Sequence, residues 1–211
     1  MSEVLDAFLP AVQTWFRETF GQPTAPQALG WPEMRGRLSG VIPALSYEQG
    51  RLEMRGNLLV RVFDGEVLVR DLRMEDLLGV WPVLMAELEL RNLDLESLTG
   101  TFAFGKITGR LEGRVQGLRL EDWAPVGFDA RFNTPAQDRS RHRISQRAVE
   151  NISDLGGAGI SGALSRSFLR GFKEFGYKRL GISCRLHQGI CEMGGVAPAG
   201  DGYYLVEGAG I

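Results

Sequence analysis

The chain has 211 residues, 44% hydrophobic and 24% charged, which is an ordinary globular composition with enough length for one sizeable core or two small ones. Its 24 Lys and Arg against 26 Asp and Glu give a formal net charge of −2, which argues against non-specific nucleic-acid binding. The segment from Met1 to Phe20 lacks the basic start and unbroken apolar run of a secretory signal, and no stretch approaches a membrane span, so the chain as written is expected in the cytoplasm.

The first twenty residues predict an amphipathic helix. Their apolar side chains recur at helical spacing, and Gly21 ends the pattern. A connector with Pro23, Pro26 and Pro32 follows. We therefore expect two parts, a helix and Pro-rich connector over residues 1–33 and a sheet domain over residues 34–211.

From about Gly36 to Phe132 the apolar period changes from helical spacing to two, which predicts strands. Asp64-Gly65 favours a tight hairpin turn, with Val62 opposite Val67 and Val60 opposite Val69. Four β-branched side chains would then share one face of the sheet.

The alternation recurs at Ala86–Leu90, Leu93–Leu95 and Phe102–Phe104, and it is clearest at Ile107–Val115, where Arg110, Glu112, Arg114 and Gln116 take the other face. A bulge at Gly117 would bring Leu118 and Leu120 into line with Val115. One wet face and one apolar face predict an antiparallel sheet. Glycines within these strands indicate either a close approach to the sheet or bulges in a strongly curved one.

Helical spacing returns after Pro135. Ile144, Ala148, Val149, Ile152 and Leu155 form one apolar side that ends at Gly156-Gly157, and a second helix is predicted over about residues 159–175. Strands follow at 177–184, 190–193 and 203–206. The predicted fold is mainly β with α: a curved antiparallel sheet with an apolar face or groove, an N-terminal amphipathic helix, and a C-terminal helix pair followed by a β-hairpin.

Two cysteines flank the predicted hairpin turn. If residues 186–189 form a four-residue loop, Cys184 lies directly opposite Cys191 and the pair can form a disulfide in an oxidising compartment. Two inert thiols are the alternative. A metal site with His187 is disfavoured because it lacks the usual four ligands.

The sequence predicts no catalytic site and no cofactor. His142 lies in an Arg-rich run and His187 at the hairpin tip, so both are expected on the exposed surface. Gly105-Lys106 lacks the upstream glycine and the Ser or Thr of a phosphate-binding loop. We therefore expect a non-enzymatic protein.

Two ordered sets of short sequence motifs resemble AsmA-like, YdbH-type proteins. The first includes Phe104-Gly105-Lys106-Ile107-Thr108-Gly109 and Trp123-Ala124-Pro125-Val126-Gly127-Phe128, and the second includes Asn151-Ile152-Ser153 and Leu180-Gly181-Ile182-Ser183-Cys184. The resemblance covers about residues 28–211. It implies a periplasmic, inner-membrane-associated protein whose sheet groove carries phospholipid between the two membranes of the bacterial envelope.

A shorter resemblance lies at the start of the chain. Phe8-Leu9-Pro10 and the run Phe20-Gly21-Gln22-Pro23-Thr24 to Trp31-Pro32 are similar to the opening of Lhr-type superfamily 2 helicases. No phosphate loop or Asp-Glu box follows, so helicase activity is not expected. A misjoined reading frame is the preferred interpretation, and a coincidental match is the alternative.

These observations predict a non-catalytic module that binds phospholipid acyl chains. The residues expected to line its groove are Phe102, Phe104, Ile107, Leu111, Val115, Phe168 and Phe172. A closed core made of the same residues is the competing interpretation. A structural domain that docks an envelope protein partner through a sheet edge or the basic helix pair is the second hypothesis, and a nucleotide-dependent enzyme is the third.

Overall fold

The computed structural model describes residues 36–77, 79–155, 173–200 and 202–209. Their strands and helices, in chain order, are β1 Gly36–Glu48, β2 Arg51–Val62, β3 Gly65–Glu75, β4 Val83–Asp94, α1 Leu95–Thr101, β5 Ile107–Thr108, β6 Arg110–Glu121, β7 Ala124–Asn133, β8 Arg143–Ser145, α2 Gln146–Leu155, β9 Glu174–His187, β10 Ile190–Gly195, β11 Ala197–Ala199, β12 Gly202–Tyr204 and β13 Val206–Gly208. The predicted N-terminal helix lies outside the described residues, as does most of the predicted helix over 159–175.

The described strands form one large antiparallel sheet and one small one. The large sheet has the order β1-β2-β3-β4-β6-β7-β9-β8-β5, and β10 and β13 also pair with β9. Strands β11 and β12 form the small sheet. The prediction of a mainly antiparallel β protein with helices is confirmed.

Tight turns join several neighbouring strands. At Gln49-Gly50, Phe63-Asp64, Asp122-Trp123 and Gln188-Gly189 both turn residues have positive φ, the conformation that matches the twist of antiparallel hairpins. The predicted pairing of Val62 with Val67 is wrong, because Val62 pairs with Gly65 and Val60 with Val67. Gly65 belongs to the strand rather than the turn, and a Cβ there would lie 2.6 Å from the carbonyl oxygen of Asn92.

A line of irregular pairing crosses the sheet. The register shifts between Glu53 and Asn57 in β2, between Arg70 and Arg73 in β3, and between Ala86 and Leu88 in β4. In β6 it falls at Gly117, whose φ is +60°, so Leu118 pairs with Ala86 and Leu120 with Leu84. The predicted bulge at Gly117 is confirmed. We call this line the crease.

The segment after β4 is helical, so the strand predicted at Leu93–Leu95 ends at Asp94 and Leu95 begins α1. The strand predicted at Phe102–Phe104 is wrong, because these residues form a turn and loop after α1. Asp94 is the N-cap residue of α1, and its Oδ1 accepts hydrogen bonds from the backbone N–H of Ser97 at 2.8 Å and from the Ser97 hydroxyl at 2.7 Å. This side-chain bond satisfies a backbone donor at the start of the helix. Glu96 lies in the first turn of this helix.

Three other boundaries differ from prediction. The strand predicted over Ile107–Val115 is broken at Gly109, where a Cβ would lie 2.5 Å from the Tyr177 hydroxyl. Ile144 lies in β8 rather than in the following helix, and Phe175 lies in β9 rather than in a helix. Ile144 pairs with Ile107 of β5 and with Phe175 of β9. These strand pairings place Ile144 and Phe175 in the sheet, although the spacing of apolar residues around them is helical.

The buried core lies at one end of the sheet. Its members come from β4, α1, β5, β6, β8, α2 and β9, and they are Leu93, Leu95, Ile107, Leu111, Ile144, Ala148, Tyr177 and Leu180. Leu93 and Ile144 are the largest of the described side chains that are fully buried. Among the described residues, no helix is long and apolar enough to cross a membrane.

Candidate functional site: the apolar face of the sheet

The large sheet has one apolar face, which the strand register defines. Directly paired residues of an antiparallel sheet project to the same side. Val69 pairs with Leu88, Leu88 with Val115, and Val115 with Ala130. Ala130 pairs in turn with Cys184, so the face runs from β3 to β9 without a charged interruption along this row.

The crease preserves this face along each strand. A plain strand would place residues 115 and 118 on opposite sides, because side chains alternate. The extra residue at Gly117 returns Leu118 and Leu120 to the apolar side, where they pair with Ala86 and Leu84. The apolar face therefore continues on both sides of the crease.

The two described helices lie at one end of this face, which we call the capped end. Helix α1 contacts β4 and β5, and helix α2 contacts β8. Asn151 of α2 donates a hydrogen bond of 2.6 Å to the carbonyl oxygen of Phe104, and this bond fixes the loop before β5 against α2. Ala148 is completely buried in the core below.

The opposite end of the sheet, the open end, exposes large apolar side chains. The strand register brings together the β1–β2 turn, the β3–β4 loop and the β6–β7 and β9–β10 turns there. The exposed residues are Tyr47, Val80, Trp81, Val126 and Ile190, of which Val80 is 92% exposed. A group of exposed apolar residues at one end of a sheet is typical of an interaction site.

The residues predicted to line a groove occupy different environments. Ile107 and Leu111 belong to the core, and Phe104 packs against it. Val115 is buried farther along the apolar face, and Phe102 is 58% exposed after the end of α1. Phe168 and Phe172 lie outside the described residues. The structure therefore brings Phe104, Ile107 and Leu111 together at the capped end.

The cysteines lie on the apolar face at the edge formed by β9 and β10. The β9–β10 turn has two residues instead of the predicted four, so Cys184 pairs with Met193 and Cys191 with Leu186. The prediction that the two cysteines lie directly opposite each other is wrong. They are diagonal neighbours with Cα atoms 5.6 Å apart, and their sulfur atoms are bonded as a disulfide.

The other face of the sheet is charged. Glu89 accepts hydrogen bonds of 2.7 Å from both Arg70 and Arg91, and Asp129 pairs with Arg185 at 3.1 Å. The hydrogen bond from Arg91 lowers the pKa of Glu89, and the positive charges of Arg91 and Arg70 add to this effect. This face is therefore stable in contact with water.

A buried polar network lies beside the core, and the sequence did not reveal it. His142 is 14% exposed in its side chain, so the prediction of an exposed His142 is wrong, whereas His187 is exposed. The Nε2 atom of His142 lies 2.9 Å from Asp138 Oδ2. The same carboxylate oxygen accepts a hydrogen bond of 2.7 Å from the backbone N–H of Arg110. Burial alone would raise the pKa of Asp138, but hydrogen bonds from Ser140, His142 and Arg110 outweigh it and lower this pKa to about 2.

The network has a structural role in holding a loop. Tyr177 donates a hydrogen bond of 2.7 Å to the carbonyl oxygen of Thr108, and burial together with the nearby Asp138 charge raises the pKa of its hydroxyl. Nothing in these contacts activates a nucleophile. Among the described residues, no three His, Cys, Asp or Glu side chains converge as metal ligands.

No family model matches the chain, and no curated protein or solved structure is found to be similar to it. The resemblances to AsmA-like proteins and to Lhr-type helicases therefore remain predictions.

Proposed function

We propose that the chain is a non-catalytic lipid-binding module that holds phospholipid acyl chains along the apolar face and passes phospholipid between the membranes of a bacterial envelope. The observation that carries the proposal is the continuation of this face beyond the capped end. The described helices contact mainly β4, β5 and β8, whereas the apolar rows extend across β2, β3, β4, β6, β7 and β9.

The environment of the face beyond the core suits an acyl chain. Leu84 and Leu120, which pair directly near the open end, are both half-buried rather than closed off. Phe128 on β7 is also half-buried. Partly accessible aliphatic and aromatic side chains in rows offer contact without a polar partner, which is what a hydrocarbon chain requires.

The exposed apolar residues of the open end support entry from that side. Trp81 is 58% exposed, and Val80 beside it is almost fully exposed. Their loop is held in place by Asp76, whose Oδ2 accepts a hydrogen bond of 3.1 Å from the Trp81 amide and whose carbonyl accepts one of 2.9 Å from Gly79. A fixed loop that presents apolar side chains is suited to contact with a lipid surface.

The energetics favour long acyl chains. Each methylene group moved from water to an apolar surface contributes about 0.8 kcal/mol. Ten such groups contribute about 8 kcal/mol, which is comparable with the roughly 4 to 15 kcal/mol that association costs. We therefore expect phospholipids with long chains to bind and short amphiphiles to bind weakly.

The test compares the parent chain with Leu84→Asp/Leu120→Asp, which places two charges on the apolar face away from the core. Native mass spectrometry with lipid extraction detects lipid retained from the expression host. Transfer of an NBD-labelled phosphatidylethanolamine between donor and acceptor vesicles measures carriage. The matched control is Phe102→Asp, since Phe102 is exposed at the capped end.

The proposal expects bound phospholipid and vesicle transfer for the parent chain and for Phe102→Asp, and loss of both for the double variant. Circular dichroism and the melting temperature show whether the variant is folded, and Leu84→Ser/Leu120→Ser is the milder replacement if it is not. A lipid-free parent chain that transfers no labelled lipid would contradict the proposal.

A second candidate is a structural domain that docks an envelope protein through a sheet edge. The observation in its favour is β1, a strand of 13 residues that pairs, within the described part of the chain, with β2 alone. A long edge strand offers backbone donors and acceptors to another strand. This candidate predicts a lipid-free chain whose partner protects the β1 amides from hydrogen exchange.

A further inference from the structure

The charged face of the sheet contains a cleft of about 540 Å³ over β4, β6 and β7. Its lining is rich in charged side chains, including Arg70, Glu87, Glu89, Glu112, Arg114 and Arg131. This cleft is separated from the apolar face by the sheet itself. Whatever binds there is therefore independent of the proposed acyl-chain site.

The acidic side chains of the cleft are already engaged. Both carboxylate oxygens of Glu89 accept hydrogen bonds from arginines, one from Arg70 and one from Arg91. Glu112 accepts a hydrogen bond of 2.8 Å from the amide of Asn133. Glu87 accepts one of 2.8 Å from the backbone N–H of Gly117, the residue at the crease.

Two arginines of the cleft, in contrast, form no side-chain hydrogen bond to the described residues. Arg114 on β6 pairs directly with Arg131 on β7 in the strand register, so both guanidinium groups project from the same face. Both side chains are exposed, and within the described residues neither forms a hydrogen bond or an ion pair. Glu89 pairs with Arg114 in register, but its oxygens are held by other arginines.

Two like charges directly opposite each other destabilise a sheet unless an anion lies between them. Guanidinium groups present paired N–H donors that match the oxygens of phosphate, and two of them can bind one phosphate group from both sides. The nearby carboxylates of Glu87 and Glu112 disfavour an extended polyanion. A single compact oxyanion would neutralise the two arginines, accept hydrogen bonds from both guanidinium groups and stay clear of the carboxylates.

From this geometry we infer that Arg114 and Arg131 form a binding site for a phosphate monoester group. The group has two sources with the same chemistry, a small soluble phosphomonoester and the headgroup of phosphatidic acid. The inference does not rest on the proposed acyl-chain site, because the two sites are on opposite faces.

The experiment titrates the full chain with phenyl phosphate at low ionic strength and follows binding by isothermal calorimetry. The test variant is Arg114→Gln/Arg131→Gln. The matched control is Arg55→Gln, which removes an exposed arginine of β2 that does not line the cleft. Sedimentation with phosphatidylcholine vesicles, with and without phosphatidic acid, forms the second arm.

We expect phenyl phosphate to bind the parent chain and Arg55→Gln equally, and the double variant to lose at least about tenfold in affinity. Phosphate should also raise the melting temperature of the parent chain and not that of the double variant. Without phosphate the double variant should be at least as stable as the parent, because the repulsion is removed. This last measurement separates a ligand site from a structural role of the arginines.

Co-sedimentation that requires phosphatidic acid and both arginines would identify the lipid as the source, and binding of phenyl phosphate alone would identify a soluble phosphomonoester. Both results support the site. Equal affinity of the parent chain and the double variant for phenyl phosphate would overturn it, as would an absence of binding to the parent.

Discussion

The imidazole ring of His142 stacks on the phenol ring of Tyr177, with centroids 4.8 Å apart and planes 12° from parallel. The stack connects the segment after β7 to the start of β9, and Asp138 completes the connection through its bond to His142. Asp138 and His142, which are neighbours in sequence, and the distant Tyr177 thus hold the capped end together. The charge of Asp138 depends on pH.

The low pKa of Asp138 predicts a loss of stability in acid. Its folded-state pKa of about 2 lies below the ordinary value of 3.8, so the contribution is complete above pH 3.8 and lost as the pH falls through about 2. The difference corresponds to about 2 kcal/mol in the free energy of unfolding. Urea denaturation of the parent chain and of Asp138→Asn between pH 2 and 7 measures it. Asp71→Asn, an exposed carboxylate, is the control and should keep the acid dependence of the parent.

Replacement of Gly113 should destabilise the sheet. A Cβ at this position would lie 2.5 Å from the ring of Phe132 and 2.6 Å from the carbonyl oxygen of Arg131, so a methyl group cannot enter without displacing backbone. We expect Gly113→Ala to cost about 1 to 3 kcal/mol in thermal or urea unfolding. Gly127→Ala, where the nearest atom is 3.8 Å away, is the control, and equal losses in the two variants would contradict this explanation.

Removal of the N-cap of α1 should have a moderate cost. Asp94→Ala leaves the Ser97 amide without its side-chain acceptor and should lower the free energy of unfolding by about 1 kcal/mol. Asp94→Asn retains an acceptor oxygen and should recover most of the loss. If Ala and Asn give the same stability, the hydrogen bond is not the reason for the effect.

The disulfide on the apolar face predicts the thiol content of the oxidised protein. Ellman's reagent under denaturing conditions should find no free thiol before reduction and two after it. The bridge closes a short loop of sequence separation 7, so Cys184→Ser/Cys191→Ser should cost roughly 2 to 3 kcal/mol. Two free thiols in protein isolated from an oxidising compartment would show that the bridge does not form.

Substitution of the core residues should unfold the capped end. The triple change Phe104→Asp/Ile107→Asp/Leu111→Asp introduces charges where Ile107 is 2% and Leu111 7% exposed. Unpaired buried charges cost several kcal/mol each, so circular dichroism should show loss of structure. Leu84 and Leu120 are not members of this core cluster, so their substitution avoids this loss. A folded triple variant would mean that these side chains are more accessible than the structure has them.

Alternation in the sequence was enough to predict which residues share a face. Val60 and Val67 share the apolar side as expected, and the bulge at Gly117 followed from the phase change between Val115 and Leu118. The face on which a side chain lies depends only on whether its position in the strand is odd or even. This can be read from the sequence of one strand alone. The antiparallel fold class could be predicted for the same reason.

Strand register was less predictable, because it depends on turns and on contacts between distant segments. Phe63 takes a left-handed conformation that its residue type does not favour, while its carbonyl accepts a 2.7 Å hydrogen bond from Asp94. The pairing Arg114–Arg131 likewise appears only once β6 and β7 are aligned. The N-cap at Asp94 was missed as well: Asp is a preferred N-cap residue, but the alternation of Leu93 and Leu95 predicted a strand there.

The crease sets the phase of every strand that it crosses. If Gly117 were deleted, parity beyond that point would invert, so that Leu118 and Leu120 would exchange sides with Arg119 and Glu121. Removal of Asp71, whose φ is +51°, would exchange the two faces of β3 beyond the crease in the same way. An amphipathic sheet of this kind therefore tolerates substitution at its bulges far better than it tolerates the loss of one residue.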